Sequence, residues 1–341
     1  MPPPKPGVIP LAPLRLGDIL SGAFSTMGRY WKQLFGLAAA VYGGALLIVG
    51  AAVLIGYSAV GDHLDRVISL SADEDPSPDD LVPIFVALGI VWLIAVAAFV
   101  IGSAMMYAAV PVVLQEAVLG RPTTFSAVWR RAWARVPALL GAMILAALIA
   151  MIPVVLAMVG FVALVISAIT LSDEPNAAVW TAFGFLGALA TAPLAAWLWV
   201  KFSLAPSAVV FEGQRPMAAL RRSSQLVRGD WWRVFGISLL AFGMAAVANY
   251  VIQIPFSFLG AFSGVIGGST LDDDPNAAAI LFAMSGYLVL FALGQLVGQF
   301  ISVTFPQLVT GILYVDRRMR TENLGPVLAE AAATPPPPYG P

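Results

Sequence analysis

Six long apolar runs divide this chain, and the stretches between them carry most of its charged residues. The runs are residues 33 to 58, 81 to 114, 136 to 169, 177 to 211, 232 to 269 and 277 to 315. Each exceeds the length of about 20 residues that an α-helix needs to cross a bilayer. None alternates with the period of two that a membrane β-barrel strand requires. The pattern predicts an all-α integral membrane protein with six transmembrane helices.

Several of these runs are longer than a bilayer requires, so the helices are expected to tilt, protrude or break. Proline removes a backbone donor from a helix and clashes with the preceding turn, which kinks it. Five prolines mark the expected kinks: Pro153, Pro193, Pro206, Pro255 and Pro306.

Composition supports lipid as the solvent. Hydrophobic residues make up 60% of the chain and charged residues 11%, whereas soluble domains carry about 25% charged residues. The net charge of -1 gives no support for binding nucleic acid, and the absence of cysteine excludes disulfides and thiol chemistry. The excess of arginine over lysine, with abundant alanine and glycine, is typical of a GC-rich bacterial gene.

Loops rich in basic residues alternate along the chain with loops rich in acidic residues. Lysine and arginine cluster before runs one, three and five and after run six, and Arg66 is the exception on the opposite side. By the positive-inside rule both termini are cytoplasmic. The expected location is the bacterial cytoplasmic membrane, with several passes.

The opposite loops carry carboxylates, for example at residues 73 to 75 and Asp272 to Asp274. Each cluster precedes a proline that can start a helix, so helix capping is favoured over calcium binding. The one histidine, His63, lies in an outer loop and is expected to be solvated. No metal site and no cofactor are predicted.

Internal repetition organises the chain. The segment TLSDEPNAA at 170 to 178 matches TLDDDPNAA at 270 to 278, and GRYWKQLFG at 28 to 36 matches RGDWWRVFG at 228 to 236. These matches predict three pseudo-repeats, each an interfacial amphipathic helix followed by a helical pair. The units span about residues 16–115, 122–212 and 215–320. They form one membrane domain, residues 16–325, between disordered proline-rich tails at 1–15 and 326–341.

The amphipathic helices suggest an anchor in the lipid headgroups. In the third unit Met217, Leu220, Ser224 and Val227 form one stripe, and arginines lie opposite; Phe125, Val128, Trp129 and Ala132 form the stripe of the second unit. Each arginine near anionic lipid contributes on the order of 1 kcal/mol. A protein partner would use the same side chains. The candidate interfacial residues are Arg130, Arg131, Arg135, Arg221, Arg222, Arg228, Trp231 and Trp232.

Uncharged amides lie within the last two runs: Asn249, Gln253, Gln295 and Gln299. They could line a polar path between spans five and six. The favoured interpretation is hydrogen bonding between helices that approach closely at Gly294 and Gly298.

Three segments resemble a known group: LRLGDILSGAF at 14 to 24, LAPSAVVFEGQRPMAALRRSSQLVRGDWWRVFG at 204 to 236, and ILYVDRRMR at 312 to 320. They are similar to the membrane domain of bacterial glycerophosphoryl diester phosphodiesterases, in its free-standing actinobacterial form. The resemblance implies a membrane domain without the catalytic barrel, whose histidines and metal-binding carboxylates have no counterpart here.

No catalytic motif is present either: the chain has no Walker loop, G-x-S-x-G elbow or H-E-x-x-H motif. The sequence therefore predicts a non-enzymatic scaffold or accessory module at the cytoplasmic face, with anionic lipids and an unidentified protein as partners. The alternative is a transporter or lipid-handling protein that uses the amide seam.

Overall fold

The computed structural model describes residues 6–70, 74–170, 177–268 and 277–333, and helices make up most of these ranges. Six long helices are apolar enough to cross a membrane: α2 (Trp31–Ile68), α3 (Pro78–Val118), α5 (Val136–Thr170), α6 (Ala177–Phe202), α9 (Trp231–Gly268) and α10 (Ala277–Glu322). The shorter helices are α1 (Leu16–Arg29), α4 (Phe125–Trp133), α7 (Ala205–Glu212), α8 (Pro216–Val227) and α11 (Leu324–Ala333). The protein is all-helical in these ranges and is a multi-pass membrane protein.

The long helices pack as three hairpins: α2 with α3, α5 with α6, and α9 with α10. Contacts within each hairpin are far more extensive than contacts between hairpins. Midway along the hairpins, large apolar side chains such as Leu93, Phe161 and Phe258 remain exposed. Because such surfaces are stable only in lipid, this arrangement fits a membrane-embedded region.

The hairpins come together at one end, which we call the joined end. It consists of the C-terminal thirds of α3 and α10, packed with α1, α4, α7 and α8. Most side chains from 102 to 118 and from 303 to 317 are buried there. The hydrophobic core of the protein therefore lies at one end of the hairpins, and the rest of each hairpin faces outward.

The N-terminal segment differs from the predicted disordered tail. Ile9 and Leu14 are buried in the joined end, and the Val8 N–H donates to the Ala117 carbonyl at 3.1 Å. Gly7 is required at this contact, because a Cβ there would lie 2.1 Å from the same carbonyl oxygen. The prolines that suggested disorder separate apolar side chains that fill the core, and their fixed φ reduces the entropy lost on ordering.

The second tail differs in the same way. Residues 324 to 333 form α11, and Leu324 and Leu328 pack against the core. Asn323, with a φ of 54°, makes the turn between α10 and α11. The PPPP stretch at 335 to 338 lies outside the described residues.

The turn between α2 and α3 also departs from prediction in one respect. Ser77 caps α3 as expected, with its Oγ accepting from the Asp79 N–H at 3.2 Å. His63, expected in a loop and solvated, instead lies within α2 and its Nδ1 is 2.8 Å from Asp80 Oδ1. Arg66 also donates to Asp80, which explains a basic residue on the acidic side. The acidic turns at 171–176 and 269–276 lie outside the described residues.

The predicted prolines act in two ways. Helices continue through Pro153, Pro193, Pro255 and Pro306. The fourth apolar run instead breaks before Pro206, where α6 ends and α7 begins.

Candidate functional site

A buried carboxylate organises the joined end. The Asp316 side chain is fully buried, and its Oδ1 accepts from the Leu14 N–H at 2.8 Å. Arg233 at the start of α9 approaches Asp316 Oδ2 at 2.5 Å, and Arg320 donates from one turn further along α10 at 3.0 Å. Both guanidinium groups also donate to the Leu14 carbonyl, at 2.8 and 2.7 Å. We call these four residues the Asp316 cluster; it fastens the N-terminal segment to two helices.

A second group of charges lies nearby on α7, α8 and α10. Glu212 accepts from Arg222 at 2.9 Å and from the Tyr314 hydroxyl, and Arg318 lies 3.4 Å away. Glu322 pairs with both Arg222 and Arg318. We call these five residues the Glu212 cluster. Burial lowers the pKa of Arg222, but its hydrogen bonds with Glu212 and Glu322 outweigh this and raise the pKa above its usual value, so the guanidinium stays charged.

Arg317 satisfies the end of α8. Its Nε donates to the Leu226 carbonyl at 2.8 Å and its Nη2 to the Arg228 carbonyl at 3.4 Å, and it also pairs with Asp230. The last carbonyls of a helix have no partner within the helix and favour cations. Arg317 thus fixes the turn between α8 and α9.

The predicted interfacial arginines separate into two groups. Arg130, Arg135, Arg221 and Arg228 are exposed. Two others are engaged in ion pairs. Arg131 pairs with Glu116 at 2.6 Å, and Arg222 belongs to the Glu212 cluster.

The buried face of α8 matches the predicted stripe only in part. Leu220 and Val227 of that stripe are buried, together with Ala219 and Leu226, whereas Met217 is 63% exposed. The face is set by packing against α5, α6, α7 and α10, so the amphipathic pattern of α8 reflects contact with protein. The 3.6-residue periodicity alone does not distinguish a protein-facing stripe from a lipid-facing one.

Aromatic side chains of α4 and of the start of α9 lie at the same end of the molecule. On α4, Phe125, Trp129 and Trp133 stack in sequence, with ring centroids 5.8 and 6.2 Å apart. Val128 and Ala132, which belong to the stripe predicted to face lipid, are buried within the protein. Of the two tryptophans predicted to be interfacial, Trp232 is 78% exposed, whereas Trp231 stacks on Phe235 with ring centroids 5.0 Å apart.

The four amides do not share one path. Asn249 and Gln253 face α10, where Gly298 and Gly294 make room for them. A Cβ at Gly298 would lie 2.0 Å from Asn249 Oδ1, and one at Gly294 would lie 2.8 Å from Gln253 Oε1. Gln295 and Gln299 instead line a different cleft of about 330 Å³, against Tyr42 and Phe99 of the first hairpin.

A larger cleft of about 500 Å³ lies between the second and third hairpins. Its walls come from α3, α5, α6, α9 and α10 and from the start of α7. It is the second candidate site, and its chemistry is described below.

The sequence analysis did not identify the two clusters, which contain Asp316 and Arg233 in one case and Glu212 and Tyr314 in the other. The available signal was the segment YVDRRMR at 314 to 320, which places five ionisable side chains on a helix that is otherwise apolar. Charges at the end of such a helix are costly unless paired. Their partners lie about 85 to 300 residues away in sequence, which local patterns do not reveal.

Comparison with known families gives one match: residues 124–317 match the sequence profile of a family described as a domain of unknown function (DUF7847). The comparisons with curated proteins and with solved structures returned no match.

Proposed function

Starting from the membership of this chain in that family, we propose that it is a non-catalytic membrane module whose joined end acts as a scaffold at the cytoplasmic face of the bacterial plasma membrane. One observation carries the proposal. The joined end is a packed core fastened by paired charges, and Arg130, Arg135, Arg221 and Arg228 remain exposed on it. A rigid basic surface beside a bilayer suits contact with anionic headgroups or with an acidic partner protein.

The assignment of this end to the cytoplasm rests on charge. With the exception of Arg66, the basic residues lie near the joined end or in the adjoining tails. The positive-inside rule then puts both termini in the cytoplasm.

A threefold internal repeat belongs to the same proposal. Each hairpin is preceded by a short amphipathic helix, namely α1, α4 or α8. In each unit the short helix directly precedes the first span of the hairpin, which supports descent from one unit.

Kinship with the membrane domain of glycerophosphoryl diester phosphodiesterases is also proposed. The three segments that carry the resemblance meet in the Asp316 cluster: the first supplies Leu14, the second Arg233, and the third Asp316 and Arg320. The residues that carry the resemblance therefore stabilise the joined end. This supports a shared fold, and a shared fold does not by itself imply a shared activity.

Transport through an amide seam receives less support. That alternative needs Asn249, Gln253, Gln295 and Gln299 to face one path, and they face two different neighbours.

Site-specific photocrosslinking tests the scaffold proposal. A photoreactive residue at Gln225, which is exposed between Arg221 and Arg228, should give crosslinks to a specific protein in native membranes. The double variant Arg221→Glu and Arg228→Glu should remove these crosslinks, with membrane insertion and thermal unfolding unchanged. The same residue at Asp62, at the opposite end, is the matched control. Crosslinks to lipid alone at position 225, or protein crosslinks that survive both substitutions, would contradict the scaffold.

A further inference from the structure

The larger cleft between the second and third hairpins is lined mainly by membrane-spanning helices, and its lining residues Ala147, Ala150 and Trp199 are exposed on their outer faces, so it opens laterally. Its volume of about 500 Å³ falls within the range of about 300 to 1,000 Å³ that is typical of small-molecule sites. Most of its lining is apolar, and Trp199 of α6 and Phe242 of α9 form one wall as an edge-to-face pair with centroids 5.2 Å apart. Ordered water is disfavoured in the apolar part of such a space, so an open cleft in a bilayer suits an apolar occupant.

Small residues and prolines create this cleft. Four alanines line it where larger side chains would fill it: Ala146, Ala147, Ala150 and Ala195. Three prolines lie at its edge, on α5, α7 and α10: Pro153, Pro206 and Pro306. Because proline bends a helix or ends it, these positions separate the hairpins here.

One part of the cleft is polar. Gln307 and Thr310 of α10 are buried there, and the Thr310 hydroxyl lies 3.1 Å from Gln307 Oε1 and 2.9 Å from the Pro306 carbonyl. Pro306 has no N–H, so the carbonyl of Ser302, which also lines the cleft, lacks its usual helical donor. The cleft thus contains hydrogen-bonding groups as well as apolar walls.

A cation lies beside the cleft. Lys201 of α6 does not line the cleft, but its ammonium group lies 4.2 Å from the Trp197 ring centroid and 5.8 Å from the ring centroid of Phe202, a lining residue. In the described ranges it pairs with no carboxylate. α6 ends at Phe202, which itself lines the cleft. A lysine near the end of a span extends its ammonium group to the lipid headgroups, so Lys201 supplies a positive charge near this cleft at the level of the headgroups.

We propose that this cleft binds one acyl chain of an anionic phospholipid from the surrounding bilayer, with the headgroup phosphate near Lys201. The occupant is argued from three features: the sideways opening among membrane spans, the apolar lining, and the complementary charge of Lys201. The inference goes beyond the scaffold function and does not depend on it, since the cleft lies between spans and not on the exposed arginines.

Photolabelling in nanodiscs tests the proposal with the full chain. Phosphatidylglycerol with a diazirine in one acyl chain should label peptides of α5, α6 or α10 that line the cleft. The double variant Ala147→Phe and Ala150→Phe fills the cleft from α5 and should lower this labelling about tenfold. Ala97→Phe, on an exposed face of α3 outside the cleft, is the matched control and should leave it unchanged.

Two further variants keep the test decisive. Ala195→Phe fills the same space from α6, and should reproduce the loss if the double variant fails to fold. Lys201→Gln should reduce labelling by phosphatidylglycerol about fivefold, as expected for about 1 kcal/mol, and leave labelling by a phosphatidylcholine probe unchanged. The proposal would be overturned if labelling were spread evenly over the exposed faces of the helices. It would also be overturned if neither the double variant nor Ala195→Phe changed the labelling. A dimer that dissociates on filling, with lipid labelling unchanged, would also overturn it and identify a second copy as the occupant.

Discussion

At the scale of residues, Asp316 is the side chain on which the joined end depends most. It is fully buried and accepts from one backbone N–H and two guanidinium groups. A buried charge is tolerated only when it is paired and hydrogen-bonded, and removal of one partner leaves the others uncompensated. The backbone contact with Leu14 makes the order of the N-terminal segment depend on the same carboxylate.

Asp316→Asn should therefore destabilise the protein by about 3 to 5 kcal/mol, the range for breaking a buried ion pair. Limited proteolysis should also cut the segment from residue 6 to 15 faster than in the native chain. Asp62→Asn, at an exposed carboxylate of α2, is the control and should change neither measurement. Equal midpoints of thermal unfolding for the two variants would contradict the claim that Asp316 stabilises the joined end.

Arg222 and Arg221 are neighbours with different expected roles. The Arg222 guanidinium pairs with two carboxylates of the Glu212 cluster, whereas Arg221 is exposed. Arg222→Met should cost about 1.5 to 3 kcal/mol of stability, as for a hydrogen bond to a charged group, and Arg221→Met should cost little. Thermal unfolding in detergent separates them, and a larger loss from Arg221→Met would contradict the assignment.

At the scale of elements, the sequence predicts the six long helices well because their apolar composition is a local property. The runs at 81 to 114 and 232 to 269 agree with α3 and α9 to within a few residues. Only part of the predicted stripe on α8 is buried, because the burying surface comes from four other helices. The N-terminal segment was predicted as disordered because its partner, Asp316, lies about 300 residues away. Long-range pairing of this kind has no periodic signal.

The contact between α9 and α10 gives a prediction for an element. Gly298→Ala would place a Cβ 2.0 Å from Asn249 Oδ1, so either the Asn249 side chain must leave this contact or the helices must separate. The expected cost is about 1 to 3 kcal/mol, as for overpacking in a tight interface. Gly243→Ala, on α9 with open space around it, should be neutral or slightly stabilising. Thermal unfolding of both variants is the measurement, and tolerance of Gly298→Ala would mean that the two helices are not so closely packed.

At the scale of the whole molecule, the protein combines a packed end with hairpins that expose apolar surface over much of their length. The core of the joined end includes Leu34, Met106 and Leu308, whereas large apolar residues further along, such as Leu54 and Phe262, are exposed. Such an arrangement leaves lateral clefts between hairpins and concentrates rigidity at one end. The scaffold proposal and the lipid inference draw on these two features separately, and only the scaffold proposal requires the joined end to face the cytoplasm.

Cysteine accessibility in intact bacterial cells tests that orientation most directly, because the native chain contains no cysteine. Gln225→Cys lies at the joined end and Asp62→Cys near the far end of α2, and both positions are exposed. A membrane-impermeant maleimide should label Asp62→Cys in intact cells, and should label Gln225→Cys only after the membrane is opened. Labelling of Gln225→Cys in intact cells, with Asp62→Cys protected, would contradict the cytoplasmic placement of the joined end.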